Sequence, residues 1–295
     1  MANSFVKPFV RVLACGALFA TPGSAHGVIG DRFFPATITS DDPFAADELA
    51  LPTVAAFRHT DGGLPVNEGD YDFEWSKSII PGFAISFADG YIDTPSGKGW
   101  DNLEITPVAE VVRDPDHEFI LSAGASFDIG GTGSRTVADD FTTYTPEILF
   151  GKGFGDLPNG MAFLRPFAVT GTLGYAFSGA PGEPTSVEWA GALEYSLLYL
   201  QNNVRDQGFS KFMAHVTPIV EFSMETPTTT DARRTTGTID PGLLWSGQYE
   251  QLGAEAIIPV NRATGRNVGV VAQLHFYVDD LFPDTLGRPL LGGRR

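Results

Sequence analysis

The chain has 295 residues and sets 19 Lys and Arg against 36 Asp and Glu, a formal charge of −17 that argues against nucleic acid or an anionic membrane surface as partner. Its 34 Gly, 21 Pro and 23 Phe suit a turn-rich β protein, and a mean hydropathy near zero beside so many acids means the apolar content is also high.

Residues 1–25 read as a secretory signal peptide. Lys7 and Arg11 form its basic start, "VLACGALFA" (12–20) its apolar core, and "GSA" (23–25) supplies small residues for cleavage after Ala25. That core is too short to cross a bilayer as a helix. Cys15, the only cysteine, lies inside it, four residues after Arg11, which leaves no apolar core before it for a lipoprotein signal. The mature chain is then expected to carry a charge of −19, no disulfide and no thiol chemistry.

Cleavage there places His26 at the amino terminus, where its amine and imidazole would chelate copper if a second histidine completed the site. His59, His117, His215 and His275 are the other histidines. The bland alternative is a cleavage site that happens to precede a histidine, and no other cofactor is expected. Residues 26–50 read as an arm that either trails in the periplasm or plugs the β domain beyond it, with Arg32 and the free amine available to lumen carboxylates. Asp41, Asp42, Asp47 and Glu48 match no Ca²⁺-loop spacing.

From residue 51 onward the hydropathy alternates. "DYDFEWSKSI" (70–79) sets Tyr71, Phe73 and Trp75 against Asp72 and Glu74, and "GFAISFADGY" (82–91) puts Phe83, Ile85 and Phe87 on one parity. "NLEITPVAEVV" (102–112) opposes Leu103 and Ile105 to Glu104 and Glu110, "EFILSAGASFDIG" (118–130) opposes Phe127 and Ile129 to Asp128, and "TYTPEILFGKGF" (143–154) opposes Ile148 and Phe150 to Glu147. "SVEWAGALEYSLLYL" (186–200) carries Glu188 and Glu194 opposite Trp189, Leu193, Leu197 and Tyr199. "FMAHVTPIVEFSME" (212–225) sets His215 and Glu221 against Val216 and Val220, and "VGVVAQLHFYVDD" (268–280) sets Gln273 and His275 against Leu274 and Phe276. With 51–59, 161–177, 235–247 and 249–260, which contains Glu255, the count is about twelve strands.

Such alternation fits a soluble sandwich, apolar side inward, or a membrane barrel, apolar side outward. Three features favour an all-β, antiparallel up-and-down transmembrane β-barrel in the outer membrane, spanning 51–280 and ending in a tail (281–295). The strands approach ten residues or more, long for soluble sheets and suited to a tilted crossing. Aromatic residues stand near the strand ends, as interfacial girdles require. The polar parity mixes Glu with Ala, Gly and Ser and has almost no Lys. Connectors alternate too: short at 80–81, 113–117, 155–160 and 246–248, long at 60–69, 93–99, 131–140, 179–185 and 226–235, with 201–209 longer than its side of the barrel ought to have. The lumen is then expected to be lined by Glu104, Glu110, Asp128, Glu147, Glu188, Glu194, His215, Glu221, Glu255 and His275. Either these groups solvate a wet interior or something basic enters it.

With "YTPEILFGKGFGDLP" and "FLRPFAVTGTLGY" in place, residues 95 to 280 resemble the Gram-negative outer-membrane transporter-like barrels associated with the meta-pathway of phenol degradation. The resemblance implies a porin-like channel for passive uptake of a small, aromatic or hydrophobic solute, with membrane lipid around it. Such barrels end on an aromatic residue, whereas this chain runs past Phe276 and Phe282 to "GRPLLGGRR", so "QLHFYV" would be the last strand. No enzyme signature accompanies the pattern: GxSxG, HExxH, a phosphate loop and CxxC are absent, and "DIGGTGS" and "DARR" read as loops. Ser122, Ser126 and His215 lack a third partner for hydrolysis. The alternative is a secreted or periplasmic β-sandwich binding module with copper at His26.

Overall fold

The computed structural model describes residues 27–61, 64–180, 185–228 and 234–291. The signal segment, His26 and most of the "DARR" tip lie outside the described residues. Twelve long strands run in order: β1 (Glu48–Asp61), β2 (Leu64–Ile80), β3 (Phe83–Asp93), β4 (Leu103–Asp114), β5 (Phe119–Ile129) and β6 (Thr143–Gly153), then β7 (Phe167–Ser178), β8 (Ser186–Tyr195), β9 (Val216–Pro227), β10 (Thr236–Ser246), β11 (Glu250–Pro259) and β12 (Gly269–Tyr277). Each pairs antiparallel with the next, and β12 pairs with β1, so the sheet closes on itself. Closure removes every sheet edge. It also removes support for the sandwich alternative, since all twelve long strands belong to one closed sheet.

Closure sends one parity of every strand outward and the other into an enclosed interior. On β8, Trp189 and Leu193 are 39% and 44% exposed, whereas Ala192 and Glu194 are each 3% exposed. Apolar side chains therefore cover the outside and carboxylates point in. Tyr91 with Trp100, and Tyr144 with Phe177, form ring pairs at one end of the outer surface, and Phe167 with Tyr195, and Phe212 with Trp245, at the other. An arginine at position 193, on the outer face, is expected to cost roughly 2–4 kcal/mol of folding free energy in bilayers. No loss in urea titrations of Leu193→Arg in bilayers would contradict an outward-facing Leu193.

The short connections share one end, here the turn end, where Gly82 takes a left-handed φ of +79° to bring β2 back into β3. Two longer connections, 154–166 and 196–215, join them there, and the connections 94–102, 130–142, 179–185, 228–235 and 260–268 lie at the other end, the loop end. Several expected boundaries move at the turn end. β8 stops at Tyr195, because the Ser196 hydroxyl accepts the Tyr199 N–H at 3.1 Å and caps a helical turn, Leu197–Tyr199, which runs on to Val204. The long 201–209 connector thus begins as the continuation of a helix, which ends at Val204. Ser210 likewise caps Lys211–Ala214 before β9, and a 3₁₀ segment, Asn159–Leu164, precedes β7. At the loop end, β1 and β2 stay paired out to Asp61 opposite Leu64, so most of the loop expected over 60–69 is strand. β12 is the last strand. The tail folds back under the turn end, where Leu290 and Leu291 donate their N–H groups to the carbonyls of Ser78 and Ile79 at 3.1 and 2.7 Å.

Candidate functional site: a barrel lumen occupied by an arm

The buried apolar core of this protein lies inside the barrel, between its wall and the residues before β1. A two-residue hairpin, Val28–Ile29 with Arg32–Phe33, sits at the turn end. From there the chain enters the lumen, turns over near Thr39–Asp42, and returns to β1. Ile29, Phe34, Phe44 and Ala46 pack with Ile120 and Ala168 of the wall, and Ile38 packs on Ala192, Ile219 and Leu244. Small wall residues make room. A side chain at Gly253 would meet Ile38 at 2.5 Å, and one at Gly151 would meet Phe34 and Pro43 at 3.4 Å.

Polar contacts hold the arm along its length. Glu221 is fully buried and gathers the arm tip, accepting the backbone N–H groups of Ile38, Thr39 and Ser40 at 2.7, 2.9 and 2.9 Å and the hydroxyls of Thr39 and Ser40 at 3.0 Å each. Hydrogen bonds to a carboxylate are short and strong, and five converging on one side chain fix the groups that donate them. Lower down, the Gln251 amide donates to Ala36 O at 2.6 Å, the Ser122 hydroxyl to Pro43 O at 2.5 Å, and Ala45 N–H to Glu110 at 3.2 Å. The Ser122 hydroxyl is thereby occupied in holding the arm.

Arg32 anchors the arm at the turn end. It is fully buried, donates through Nε to Glu118 at 3.3 Å and through Nη1 to Pro166 O at 3.0 Å, also reaches Arg165 O, and lies 3.9 Å over the Tyr199 ring. Glu118 is the one non-glycine residue among those described with a left-handed backbone, at φ +47°, and its carboxylate also accepts Gly155 N–H at 3.0 Å. Burial, with the Glu118 carboxylate beside it, pushes the Tyr199 hydroxyl up to about 12, which keeps it protonated.

Of the residues expected in the lumen, Glu110, Glu194, Glu221, Glu255 and His275 face the part that the arm fills. Glu255 and Asp240 stand close to Glu221, and Asp240 accepts from the Thr39 hydroxyl at 3.3 Å. His275 pairs with Glu48 at 2.9 Å. Glu104, Asp128, Glu147 and Glu188 line the open part. His215 departs from the expectation: it sits in the cap of the Lys211–Ala214 helix, before β9 begins, with Nδ1 2.6 Å from Ser246 O and its ring against Trp245. Strand parity does not extend through a helical turn, so it does not set the direction of this side chain.

Above the arm tip the lumen opens toward the loop end as a cavity of about 570 Å³, with Thr39, Ser40 and Asp41 as floor and Glu147, Glu188 and Glu225 in its wall. A second cavity of about 250 Å³ runs beside Asp72, Asp89, Asp101, Glu104 and Asp128. A third of about 210 Å³ lies between Asp41 and the wall residues Glu74, Glu104 and Glu147. The wall acids Asp72, Glu74, Asp89 and Glu225, and the arm residues Thr39 and Ser40, were not among the expected lining. Asp72 and Glu74 were visible as the polar parity of "DYDFEW", whereas nothing in the sequence pairs Thr39 and Ser40 with Glu221.

No family model matches the chain, and no curated protein matches it in sequence. Among solved structures it is similar to an outer-membrane channel from Pseudomonas putida F1, with a TM-score of 0.53 and 10% identity over 79% of this chain and 96% of that one. It is also similar to the NanC porin (TM-score 0.48, 10% identity, 77% of this chain and 98% of that one). A KdgM porin in complex with disordered oligogalacturonate gives a TM-score of 0.46 and 12% identity over 76% of this chain and 98% of that one. The likeness to the first of these, at 10% identity, is one of fold. None of the three ties it to phenol degradation.

Proposed function

We propose that the chain is an outer-membrane barrel, turn end toward the periplasm, through which a small water-soluble solute passes without energy input. The arm narrows the periplasmic half, and the open outer half receives the solute. One observation carries this reading: a closed ring with apolar side chains outside encloses cavities walled by carboxylates. In a confined low-dielectric tube those charges concentrate counter-ions and repel anions, so the solute we propose is cationic or neutral and polar. That differs from the aromatic or hydrophobic solute implied by the family resemblance, for which the acidic wall offers no advantage.

The test is the reversal potential of the refolded mature protein in planar bilayers under a KCl gradient. Potassium is expected to permeate in preference to chloride, and the preference should shrink near 1 M salt, where screening falls to about 3 Å. Chloride preference, or no conductance in protein whose gel mobility shows it folded, would defeat the reading.

A further inference from the structure

We infer that Glu255 is a neutral carboxylic acid whose O–H donates to Glu221 Oε1, and that this bond positions the carboxylate that grips the arm tip. The strand register brings the two together. Glu221 on β9 lies opposite Asp240 on β10, and Gly242 on β10 lies opposite Glu255 on β11. A side chain at position 242 would meet Glu255 Cγ at 2.4 Å, so Glu255 leans across β10 over that glycine. With the way clear, its carboxyl comes within hydrogen-bonding reach of Glu221, and Asp240 stands near.

Two carboxyl groups in contact do not both ionise readily, and their donors decide which is the acid. Glu221 Oε2 accepts from the N–H and hydroxyl groups of both Thr39 and Ser40, which suits a full negative charge. Glu255 has the opposite surroundings: it is 4% exposed, and nothing donates to either of its oxygens. A carboxylate buried without a donor is far costlier than a neutral acid that finds an acceptor. Glu221 Oε1 is that acceptor. It takes a single bond from the arm, the Ile38 N–H at 2.7 Å, which leaves a lone pair open to the Glu255 O–H. Asp240 on β10, Glu194 on β8 and Asp41 of the arm also stand around the pair, and each is an acid. A second charge at position 255 would face all of them. Glu255 therefore acts on the arm through Glu221, as a positioning residue.

Infrared difference spectroscopy of the folded mature protein at neutral pH reads the proton itself. The carbonyl stretch of a protonated carboxylic acid is expected in the unaltered protein and should be lost in Glu255→Gln. Proteolysis of the arm in the folded barrel reads the consequence. Glu255→Gln, whose amide N–H can take over as donor, should protect the arm as the unaltered chain does. Glu255→Met has a similar length and no donor, and should expose the arm to cleavage about tenfold faster, the loss of one hydrogen bond to a charged group. An acid band that is the same in Glu255→Gln, or an arm held as firmly in Glu255→Met as in the unaltered protein, would overturn the inference. Should Glu255→Met fail to fold, the infrared comparison with Glu255→Gln decides alone. Neither readout passes current, so a barrel that did not conduct would defeat the proposed function and leave this inference standing.

Discussion

Deleting residues 27–46 is expected to raise single-channel conductance in planar bilayers several-fold. Those residues fill the turn half with Phe34, Ile38 and Phe44 and cap it with Thr39–Asp42, so current through the full chain must pass around them. A gentler variant probes the same contact in a barrel that keeps its arm. Glu221→Ala removes the acceptor of five hydrogen bonds. Hydrogen bonds to charged groups contribute roughly 1.5–3 kcal/mol each, with less than full additivity when they share one acceptor. Loss of the set should free the arm tip and give conductance intermediate between the full chain and the deletion. If both variants conduct as the unaltered protein does, the arm does not restrict the path.

The second large effect is at the anchor. Removing one partner of a buried ion pair typically costs about 3–5 kcal/mol, because the remaining charge stays out of water without compensation. Arg32→Ala leaves Glu118 in that position and also removes the arginine's hydrogen bonds to Pro166 O and Arg165 O. The loss is expected at the arm and not in the barrel: protease should cut the arm of folded Arg32→Ala at temperatures where the unaltered arm resists, while the barrel keeps its unboiled gel mobility. Lys152→Ala is the comparison, since the Lys152–Asp156 pair is partly exposed and such pairs are worth about 0–1 kcal/mol. Equal protection of the arm in Arg32→Ala and the unaltered chain would mean that Arg32 does not hold it.

Period-two hydropathy marked eight of the twelve strands directly, and the candidates at 51–59, 161–177, 235–247 and 249–260 fall on the other four, because each strand sets an apolar outer face against a more polar inner one. It located strand ends less well where apolar residues continue past the sheet. Leu197 and Tyr199 keep the parity of β8, yet the Ser196 hydroxyl starts a helix, and Tyr199 turns inward under Arg32. His215, likewise, lies in a helix cap just before β9 and not in the strand. Parity also says which residues face inward but not which of them meet. That depends on register, and register here is set by bulges such as those between Ala50 and Thr53 and between Gln273 and His275, which the pattern does not reveal. The approach of Glu255 to Glu221 and the gathering of Ile38–Ser40 by Glu221 both belong to that second level. The arm was least legible of all, since "HGVIGDRFFPATITSDD" has no periodicity of its own and takes its path from the wall it packs against.

Which face of each strand meets hydrocarbon is tested most directly by spin labels on β8, read by collision with oxygen, which concentrates in lipid, and with a water-soluble nickel chelate. In protein reconstituted into vesicles, a label at Leu193→Cys should be relaxed by oxygen and spared by nickel, and a label at Glu188→Cys should show the opposite preference. The reverse pattern, with nickel reaching position 193 and oxygen reaching position 188, would mean that the carboxylate side of the ring faces outward and would leave no enclosed aqueous path.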